Sequence, residues 1–266
     1  MSRRGLVLVT ILGLACGGRN EVAIEERTVA AGTIRGVVRF VGDATQVGRL
    51  DVTQDTEVCG PSLRSPRLAL GKGNGVGNAI VYLDGIAGGT EHAAEPTITI
   101  DQRQCEDVPH VVAVPVGTQL EIVNSDPILH NVHAREVGAG LRTVFNIAQP
   151  IRGQRTAVEQ TRLTKPGLLV LSCEVGHPWM SAYIFVSAHP YVAVTGENGE
   201  FVIPNVPPGS YTITMWHEGV TLTRVVRSLQ RYDFEDPYEV TKQVEVAAGA
   251  AGNEVTVDFE LPLRGD

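Results

Sequence analysis

The chain consists mainly of short apolar runs, each bounded by glycine, proline, asparagine or aspartate. The runs are rich in valine, isoleucine and leucine, which pack well on the pleated surface of a β-sheet. Helical periodicity is hard to find, except in residues 225–235. This pattern predicts an all-β fold of the sandwich or barrel type. The clearest runs lie at residues 33–40, 79–83, 110–116, 119–124, 168–172 and 183–187.

The N-terminus has the composition of an export signal. Arg3 and Arg4 precede the apolar run Leu6 to Ala15. This run is too short to span a bilayer and has the position of the apolar region of a signal peptide. The sequence therefore predicts an exported protein of the cell envelope.

The end of this signal resembles a bacterial lipobox, in which a cysteine becomes the lipidated N-terminus. Residues 1–16 are therefore predicted to be a lipoprotein signal peptide with Cys16 as its lipidated residue, and residues 17–31 a tether. Gly13 stands where the motif usually has leucine, so cleavage after Ala15 without a lipid is the alternative. The predicted location is the periplasm or the outer membrane.

Residue types that bind soft metals are concentrated in one segment, Cys173-Glu-Val-Gly-His177-Pro-Trp-Met180. A thiolate, an imidazole and a thioether suit a soft, redox-active metal better than magnesium or calcium. A second imidazole is available from His130, which follows an earlier predicted strand. Two histidines, one cysteine and a weak axial methionine are the ligands of a mononuclear blue-copper site. These four residues are therefore the predicted ligands of one copper ion.

The cysteine count fits this assignment. Cysteines of an exported protein are expected to be paired, liganded or modified. If Cys16 carries a lipid and Cys173 binds a metal, Cys59 and Cys105 remain to form a disulfide. A Cys16 that is removed with the signal, or a reduced and buried Cys105, is the alternative.

The stretch from about Val112 to Val186 resembles the plastocyanin-like and amicyanin-like cupredoxins. That family has a P-H-N-V-H segment and a C-x2-H-P-F-M loop, and this chain has L-H-N-V-H and C-x3-H-P-W-M. The resemblance implies a Greek-key β-barrel with copper as its cofactor. It also implies that Asn131 ties the two ligand segments together. We expect Trp179 to cover the edge of the copper site.

The ligand loop departs from the amicyanin pattern. Three residues separate Cys173 from His177, where amicyanin has two. The longer spacing occurs in the binuclear copper site of cytochrome oxidase, which needs another cysteine four residues before the first. Leu169 stands there, so a mononuclear site with a lengthened loop is expected.

The sequence after residue 187 resembles a different family, the carboxypeptidase regulatory-like or transthyretin-like sandwich. Asn198-Gly199 predicts a hairpin turn, and Pro207-Pro208-Gly209 precedes the alternating strand Ser210 to Trp216. Gly32 to Val38 and Ala79 to Val81 resemble the opening strands of that family.

These resemblances predict a sandwich of residues 32–95 and 188–266, with the cupredoxin of residues 96–187 inserted in it. Two domains in simple succession are the alternative. Insertion is physically easy where the ends of a domain lie close together.

Most of the chain also resembles bacterial methylamine-utilisation or plastocyanin-like proteins, which combine both modules. The shared segments are P-H-V, N-S-D-P, H-N-V-H, G-H-P-W-M and W-H-E, at residues 109–111, 124–127, 130–133, 176–180 and 216–218. His133 is expected near the surface or beside the ligands, and His110, His189 and His217 are expected to have structural roles.

The expected function is one-electron transfer in the cell envelope, through an exposed edge of His177 near Trp179. The net charge of −8 disfavours nucleic acid and favours basic redox proteins as partners; a lipid on Cys16 would provide the membrane contact. No catalytic triad or phosphate loop is found, and Glu174 is a poor general base, so no enzyme is expected. The alternatives are a non-redox scaffold with a structural copper, and copper delivery.

Overall fold

The computed structural model describes residues 31–86, 97–138, 140, 142–226, 231–248 and 253–264. The predicted signal peptide with Cys16, and nearly all of the predicted tether, lie outside these residues. β-Strands dominate the described ranges, which confirms the prediction of an all-β fold. Within those ranges, no helix has the length and apolar character needed to cross a membrane.

The strands are short, as the bounded apolar runs predict. They are β1 Gly32–Val41, β2 Arg49–Asp51, β3 Ser62–Arg64, β4 Ile80–Asp84, β5 Ile98–Arg103, β6 Glu106–Val108, β7 Val111–Pro115, β8 Leu120–Asn124, β9 His130–Glu136, β10 Thr143–Gln149, β11 Arg155–Val158, β12 Gly167–Ser172, β13 Ser181–Ser187, β14 Val192–Val194, β15 Glu200–Val206, β16 Gly209–His217, β17 Leu222–Val226, β18 Arg231–Phe234, β19 Tyr238–Val246, β20 Glu254–Thr256 and β21 Phe259–Pro262.

Helical structure is minor in the described part of the chain. It comprises one turn of α-helix, α1 (Thr56–Cys59), and 3-10 turns at Ala44–Gln46, Lys72–Asn74 and Gln160–Leu163. The segment 225–235, with its helical periodicity, instead contributes to β17 and β18, which pair antiparallel.

Residues 98–187 form two sheets that enclose a shared core, named here the inner sandwich. One sheet has the strand order β10-β9-β12-β13-β7, and the other has the order β11-β8-β5-β6. Ile100 and Ile122 from the second sheet share this core with Val132 and Leu171 from the first, and all four are buried. Among the described strands the two sheets do not pair with each other, so they form an open sandwich.

The strands on either side of this stretch form a second pair of sheets, named here the outer sandwich. Their orders are β15-β1-β20, with β21 also on β1, and β14-β4-β16-β19. β1 pairs antiparallel with β15 and parallel with both β20 and β21. Strands that precede the inner sandwich in sequence thus share sheets with strands that follow it. We retain the division into residues 32–95 with 188–266, and residues 96–187, as a proposal.

The turn at Asn198-Gly199 is present but does not close a hairpin. Gly199 has φ +83°, and its N–H donates to the Gly196 carbonyl at 2.9 Å. The strands on either side, β14 and β15, belong to different sheets. A Cβ on Gly199 would lie 2.3 Å from the Val38 carbonyl oxygen, so the turn needs glycine both for its backbone angle and for close contact with β1.

The two sandwiches meet through a buried apolar cluster and a buried ionic cluster. Ile80 and Trp216 of the outer sandwich pack with Val111 and Tyr183 of the inner one. Beside them lies Glu218, which is 2 % exposed.

Glu218 pairs with two cationic groups at this junction. One carboxylate oxygen lies 2.6 Å from the Arg67 guanidinium, and the other contacts the His110 ring. Burial by itself would raise the pKa of Glu218, but Arg67 and His110 outweigh it and hold the pKa at about 2. Burial likewise acts to lower the pKa of His110, yet the Glu218 carboxylate raises it overall. A carboxylate buried in this way depends on its partners.

Replacing Glu218 should therefore weaken the fold in a pH-dependent way. The folded-state pKa lies below the ordinary value of 4.5, so this stabilisation is present above pH 4.5 and is lost as the pH falls towards 2. We expect Glu218→Gln to lower the free energy of unfolding at pH 7 by about 3 kcal/mol, and by less at pH 3. Urea unfolding at both pH values measures this difference.

The exposed Glu260 on β21 provides the control. Glu260→Gln should leave the free energy of unfolding nearly unchanged at both pH values. An equal loss at pH 7 and pH 3 in the Glu218 variant would contradict the pairing.

Candidate metal site

Three of the four predicted ligands bring their donor atoms together. The Nδ1 atoms of His130 and His177 lie 3.1 Å apart. The Sγ of Cys173 lies 3.9 Å from the first of these nitrogens and 3.5 Å from the second. Both histidines are fully buried, and Cys173 is 4 % exposed. The two segments that the sequence pattern singled out thus converge on one small volume.

The five-stranded sheet of the inner sandwich produces this convergence. β9, which begins at His130, lies antiparallel beside β12, and His133 pairs with Ser172. Residues 173–180 connect β12 to its other neighbour, β13, with Ser172 opposite Ser181. The ligand loop is therefore a connection between adjacent strands at the sheet end where β9 begins.

Two carboxylates fix the orientation of the histidine rings. The Nε2 of His130 lies 3.0 Å from Asp126 Oδ2, and the Nε2 of His177 lies 2.8 Å from Asp55 Oδ2. The hydrogen bond from His177 lowers the pKa of Asp55. Burial acts to raise the pKa of Asp126, but hydrogen bonds from His130 and two backbone N–H groups lower it overall. Both carboxylates are thus ionised at neutral pH and accept the ring N–H groups.

This arrangement leaves two nitrogen lone pairs facing each other. In a neutral imidazole, the nitrogen without a proton is the acceptor, and here the proton is on Nε2. Both Nδ1 atoms therefore present lone pairs, only 3.1 Å apart. Two such lone pairs repel each other unless a proton or a cation lies between them. Burial lowers the pKa of His177, which disfavours a proton on the Nδ1 of that ring.

Burial also sets the protonation state of the Cys173 thiol. It raises the pKa of Cys173 to about 11, although the backbone N–H groups of Asn131 and Val175 act in the opposite direction. Without a metal the sulfur therefore carries its proton at neutral pH. A metal ion would displace that proton, because the thiolate is the form that binds metals.

The donor set fits a single soft metal ion. A point equidistant from the two nitrogens and the sulfur lies about 2 Å from each, close to the metal–imidazole length of ~2.0 Å and slightly below the metal–thiolate length of ~2.3 Å. Two imidazoles and one thiolate around such a point match the trigonal set of a copper site. The carboxylates on the outer ring nitrogens are the partners that metal-binding histidines usually have.

Asn131 links the two ligand segments. Its Oδ1 accepts a hydrogen bond from the backbone N–H of Glu174 at 2.6 Å. Its Nδ2 donates to Asn146 on the neighbouring strand at 2.9 Å. The side chain thus lies where the resemblance to cupredoxins places it, between the strand of His130 and the loop of Cys173.

The expectation of an exposed His177 edge was wrong. His177 has no exposed surface and Trp179 is 3 % exposed. The Trp179 ring packs on His177 with 5.3 Å between centroids, and its Nε1 donates to the Cys105 carbonyl at 3.2 Å. The physical reason is that residues 49–64, which precede the inner sandwich in sequence, cover this side of the loop.

Met180 lies inside the site region but its role as axial ligand stays a prediction. It is 2 % exposed and belongs to the apolar cluster that contains Cys173 and Trp179. Its backbone N–H donates to the His177 carbonyl at 3.0 Å, which closes the ligand loop.

Four other histidines of the described ranges lie outside the three-atom group. His133 contacts Glu174 and Thr143 through its two ring nitrogens. His110 contacts Glu218, as described above. The Nδ1 of His217 lies 2.7 Å from the Glu218 carbonyl oxygen, and the ring of His189 packs on Tyr191.

The predicted disulfide between Cys59 and Cys105 is present, and it lies close to the site. The backbone N–H of Cys105 donates to Asp126 Oδ2 at 2.8 Å, the same oxygen that His130 contacts. Cys105, Asp126 and His130 also form a compact group. The Cys105 sulfur is bonded to Cys59, however, so it offers no ligand to a second metal.

The sequence interpretation missed both carboxylates. Asp126 lies in the N-S-D-P segment, four residues before His130, so its position was visible although its role was not. Asp55 is separated from His177 by 122 positions and has no motif around it. Only the three-dimensional arrangement identifies it.

Comparison with known proteins gives partial matches. The family model described as polysaccharide lyase family 4, domain II, matches residues 162–253, which is less than half of the chain. No curated protein matches the sequence.

The similar solved structures include three copper or cupredoxin proteins. A copper-containing nitrite reductase from Thermus scotoductus has 26 % identity and a TM-score of 0.29, over 38 % of this chain and 25 % of that one. Amicyanin from Paracoccus versutus has 18 % identity and a TM-score of 0.29, over 36 % and 86 %. A purple cupredoxin from Nitrosopumilus maritimus has 22 % identity and a TM-score of 0.29, over 35 % and 100 %.

This chain therefore spans a quarter of the nitrite reductase that it matches. Each of these similarities covers only a part of this chain. The functional proposal rests on the side-chain geometry of the site.

Removing the disulfide should destabilise the protein. The bond joins residues 46 positions apart, and closing a loop of this length restricts the unfolded chain. We expect the double variant Cys59→Ser/Cys105→Ser to lose about 2–4 kcal/mol of unfolding free energy, measured by urea unfolding of the metal-free protein.

Peptide mapping without reductant provides the direct check. The peptides that contain Cys59 and Cys105 should be linked, while Cys173 should be alkylated after unfolding. Alkylation of Cys59 and Cys105 without reduction would contradict the pairing.

Proposed function

We propose that this protein binds one copper ion through His130, Cys173 and His177, with Met180 as a weak axial ligand, and carries single electrons. The observation that carries the proposal is the pair of Nδ1 atoms 3.1 Å apart, both within 4 Å of the Cys173 sulfur. A cation at this point removes the repulsion between the nitrogens and stabilises the thiolate. When bound, copper supplies one-electron redox chemistry.

The protein's own groups would hold the site in one geometry. Asp126 and Asp55 fix the two rings, and Asn131 fixes the distance between the ligand segments. Metal-binding groups that are already in place need little rearrangement when the charge on the metal changes. Small rearrangement favours electron transfer, and burial of the three donors excludes water.

The burial of both histidines argues against copper delivery, the second candidate function. Handing a metal ion to a partner requires that the partner's ligands reach it. His177 and His130 are fully buried, which favours a retained ion over a transferred one. A structural copper is distinguished by the redox measurement below.

The remaining parts of the proposal rest on the sequence. We propose that the protein is exported and anchored by a lipid on Cys16, and that it acts in the periplasm or at the outer membrane. Its partners would be redox proteins with basic surfaces, since the chain is acidic. It would have no catalytic activity of its own.

Spectroscopy of the copper-loaded protein tests the proposal. We expect one copper per chain, an intense visible band from sulfur-to-copper charge transfer, and a reversible one-electron wave in voltammetry. Cys173→Ser should abolish the band, because the transition needs the thiolate. His130→Gln should weaken copper binding strongly.

His133→Gln is the matched control, because His133 lies on the same strand but contacts Glu174 and Thr143. It should retain the band and the copper content. Absence of a charge-transfer band in the wild-type protein would overturn the copper proposal. A band without a reversible wave would overturn the electron-transfer role and leave a structural copper.

A further inference from the structure

Residues 49–64 form a small closed unit, named here the strap. β2 and β3 pair antiparallel, with Leu50 opposite Leu63. The N–H of Val52 donates to the Pro61 carbonyl at 3.1 Å, and α1 lies between the two strands. The strap precedes the inner sandwich in sequence, yet it packs on the ligand loop of that sandwich.

The strap contacts each of the last three residues before Pro178 in this loop. Gln54 donates from Nε2 to the Val175 carbonyl at 3.0 Å. Its side chain lies over Gly176, where a Cβ would come within 2.1 Å of the amide oxygen. Asp55 accepts the ring N–H of His177 at 2.8 Å. The strap therefore contacts the loop up to and including His177, a proposed copper ligand.

The glycine at position 176 allows the ligand loop to pack closely against the strap. It has φ +101°, a conformation that residues with a side chain rarely adopt. It is also the last of the three residues between Cys173 and His177. Because Gly176 has no Cβ, the Gln54 side chain can pack directly against the lengthened loop at this position.

The conformation of Asp55 directs its carboxylate to His177. Asp55 has φ +51° and ψ +38°, in the left-handed region, and it occupies the N-cap position of α1. An aspartate in this position commonly accepts a backbone N–H of its own helix. Here the side chain makes no such bond and contacts His177 instead.

The strap is fastened to the site by apolar contacts and by the disulfide. Leu50, Val52 and Cys59 are buried in one cluster with Cys173 and its neighbours Trp179 and Met180. Cys59 is bonded to Cys105. The Tyr232 hydroxyl also donates to the Asp51 carbonyl. The carboxylate is therefore held by a unit with little freedom to move away.

We infer that Asp55 is a positioning residue for the proposed copper ligand His177, and that through this contact the strap strengthens metal binding. This inference rests on the proposed copper site. An ionised carboxylate on Nε2 increases the electron donation of the imidazole to a metal at Nδ1, and it favours the more highly charged copper(II). The strap closes the side of the site that the sequence pattern expected to be exposed.

Two variants separate the charge of Asp55 from its backbone role. Asp55→Asn keeps the shape and tolerates the left-handed conformation. Asp55→Gly also keeps that conformation and removes the whole side chain. Glu57→Gln is the matched control, since Glu57 is an exposed acid on α1 and loses the same charge. Urea unfolding of each metal-free variant verifies that the fold is intact.

The first measurement needs no metal. In the metal-free full-length protein, nuclear magnetic resonance should detect a slowly exchanging Nε2 proton of His177. The proton should exchange faster in Asp55→Asn and be lost to fast exchange in Asp55→Gly, and it should be unchanged in Glu57→Gln. An identical exchange rate in all four proteins would overturn the assignment of Asp55.

The second measurement uses copper and a competing chelator. Loss of a carboxylate partner typically weakens metal affinity 10–100-fold, so we expect a loss of about that size in Asp55→Gly and a smaller one in Asp55→Asn. The reduction potential should rise in the same order, while Glu57→Gln retains the wild-type values. Wild-type affinity and potential in both Asp55 variants would overturn the inference. A wild-type protein without the thiolate–copper band would instead refute the copper proposal, and the proton-exchange result would still decide the Asp55–His177 contact.

Discussion

The hydrogen bonds from His130 to Asp126 and from His177 to Asp55 determine what the site can do. Each bond holds a proton on Nε2 and so leaves the Nδ1 lone pair free. The two lone pairs meet beside the Cys173 sulfur in a volume closed to water. A cation bound as proposed would accept electron pairs from all three donor atoms at once. The three donor atoms therefore already lie close together in the metal-free protein.

The long-range pairing of the chain makes this arrangement possible. The two carboxylates come from different parts of the sequence: Asp126 from the loop before β9, and Asp55 from the strap. The disulfide connects these parts, because Cys59 lies in the strap and Cys105 donates its N–H to Asp126. At the junction of the two sandwiches, the buried Glu218 pairs with its cationic partners Arg67 and His110. The proposed copper site is thus built by the inner sandwich together with the strap.

The strands and three of the donor residues could be predicted from the sequence. The features that were missed have a physical explanation. Short apolar runs predicted the strands, and residue chemistry singled out His130, Cys173 and His177, which the structure brings together. Local patterns cannot show which strands share a sheet, so the turn at Asn198-Gly199 was wrongly expected to close a hairpin. Asp55 was missed for a related reason, since a contact over 122 positions leaves no periodic signal. The burial of His177 was missed with it, because the strap that covers it lies outside the segment with the family resemblance.

X-ray absorption at the copper edge, on the fully loaded protein in both oxidation states, tests whether His130, Cys173 and His177 bind the metal. We predict one short copper–sulfur bond and two nitrogen ligands at about 2 Å, with only small changes between copper(I) and copper(II). The sulfur contribution should vanish in Cys173→Ser. A first shell of nitrogen and oxygen alone in the wild-type protein would contradict the account, because the Cys173 sulfur lies within 4 Å of both proposed nitrogen ligands.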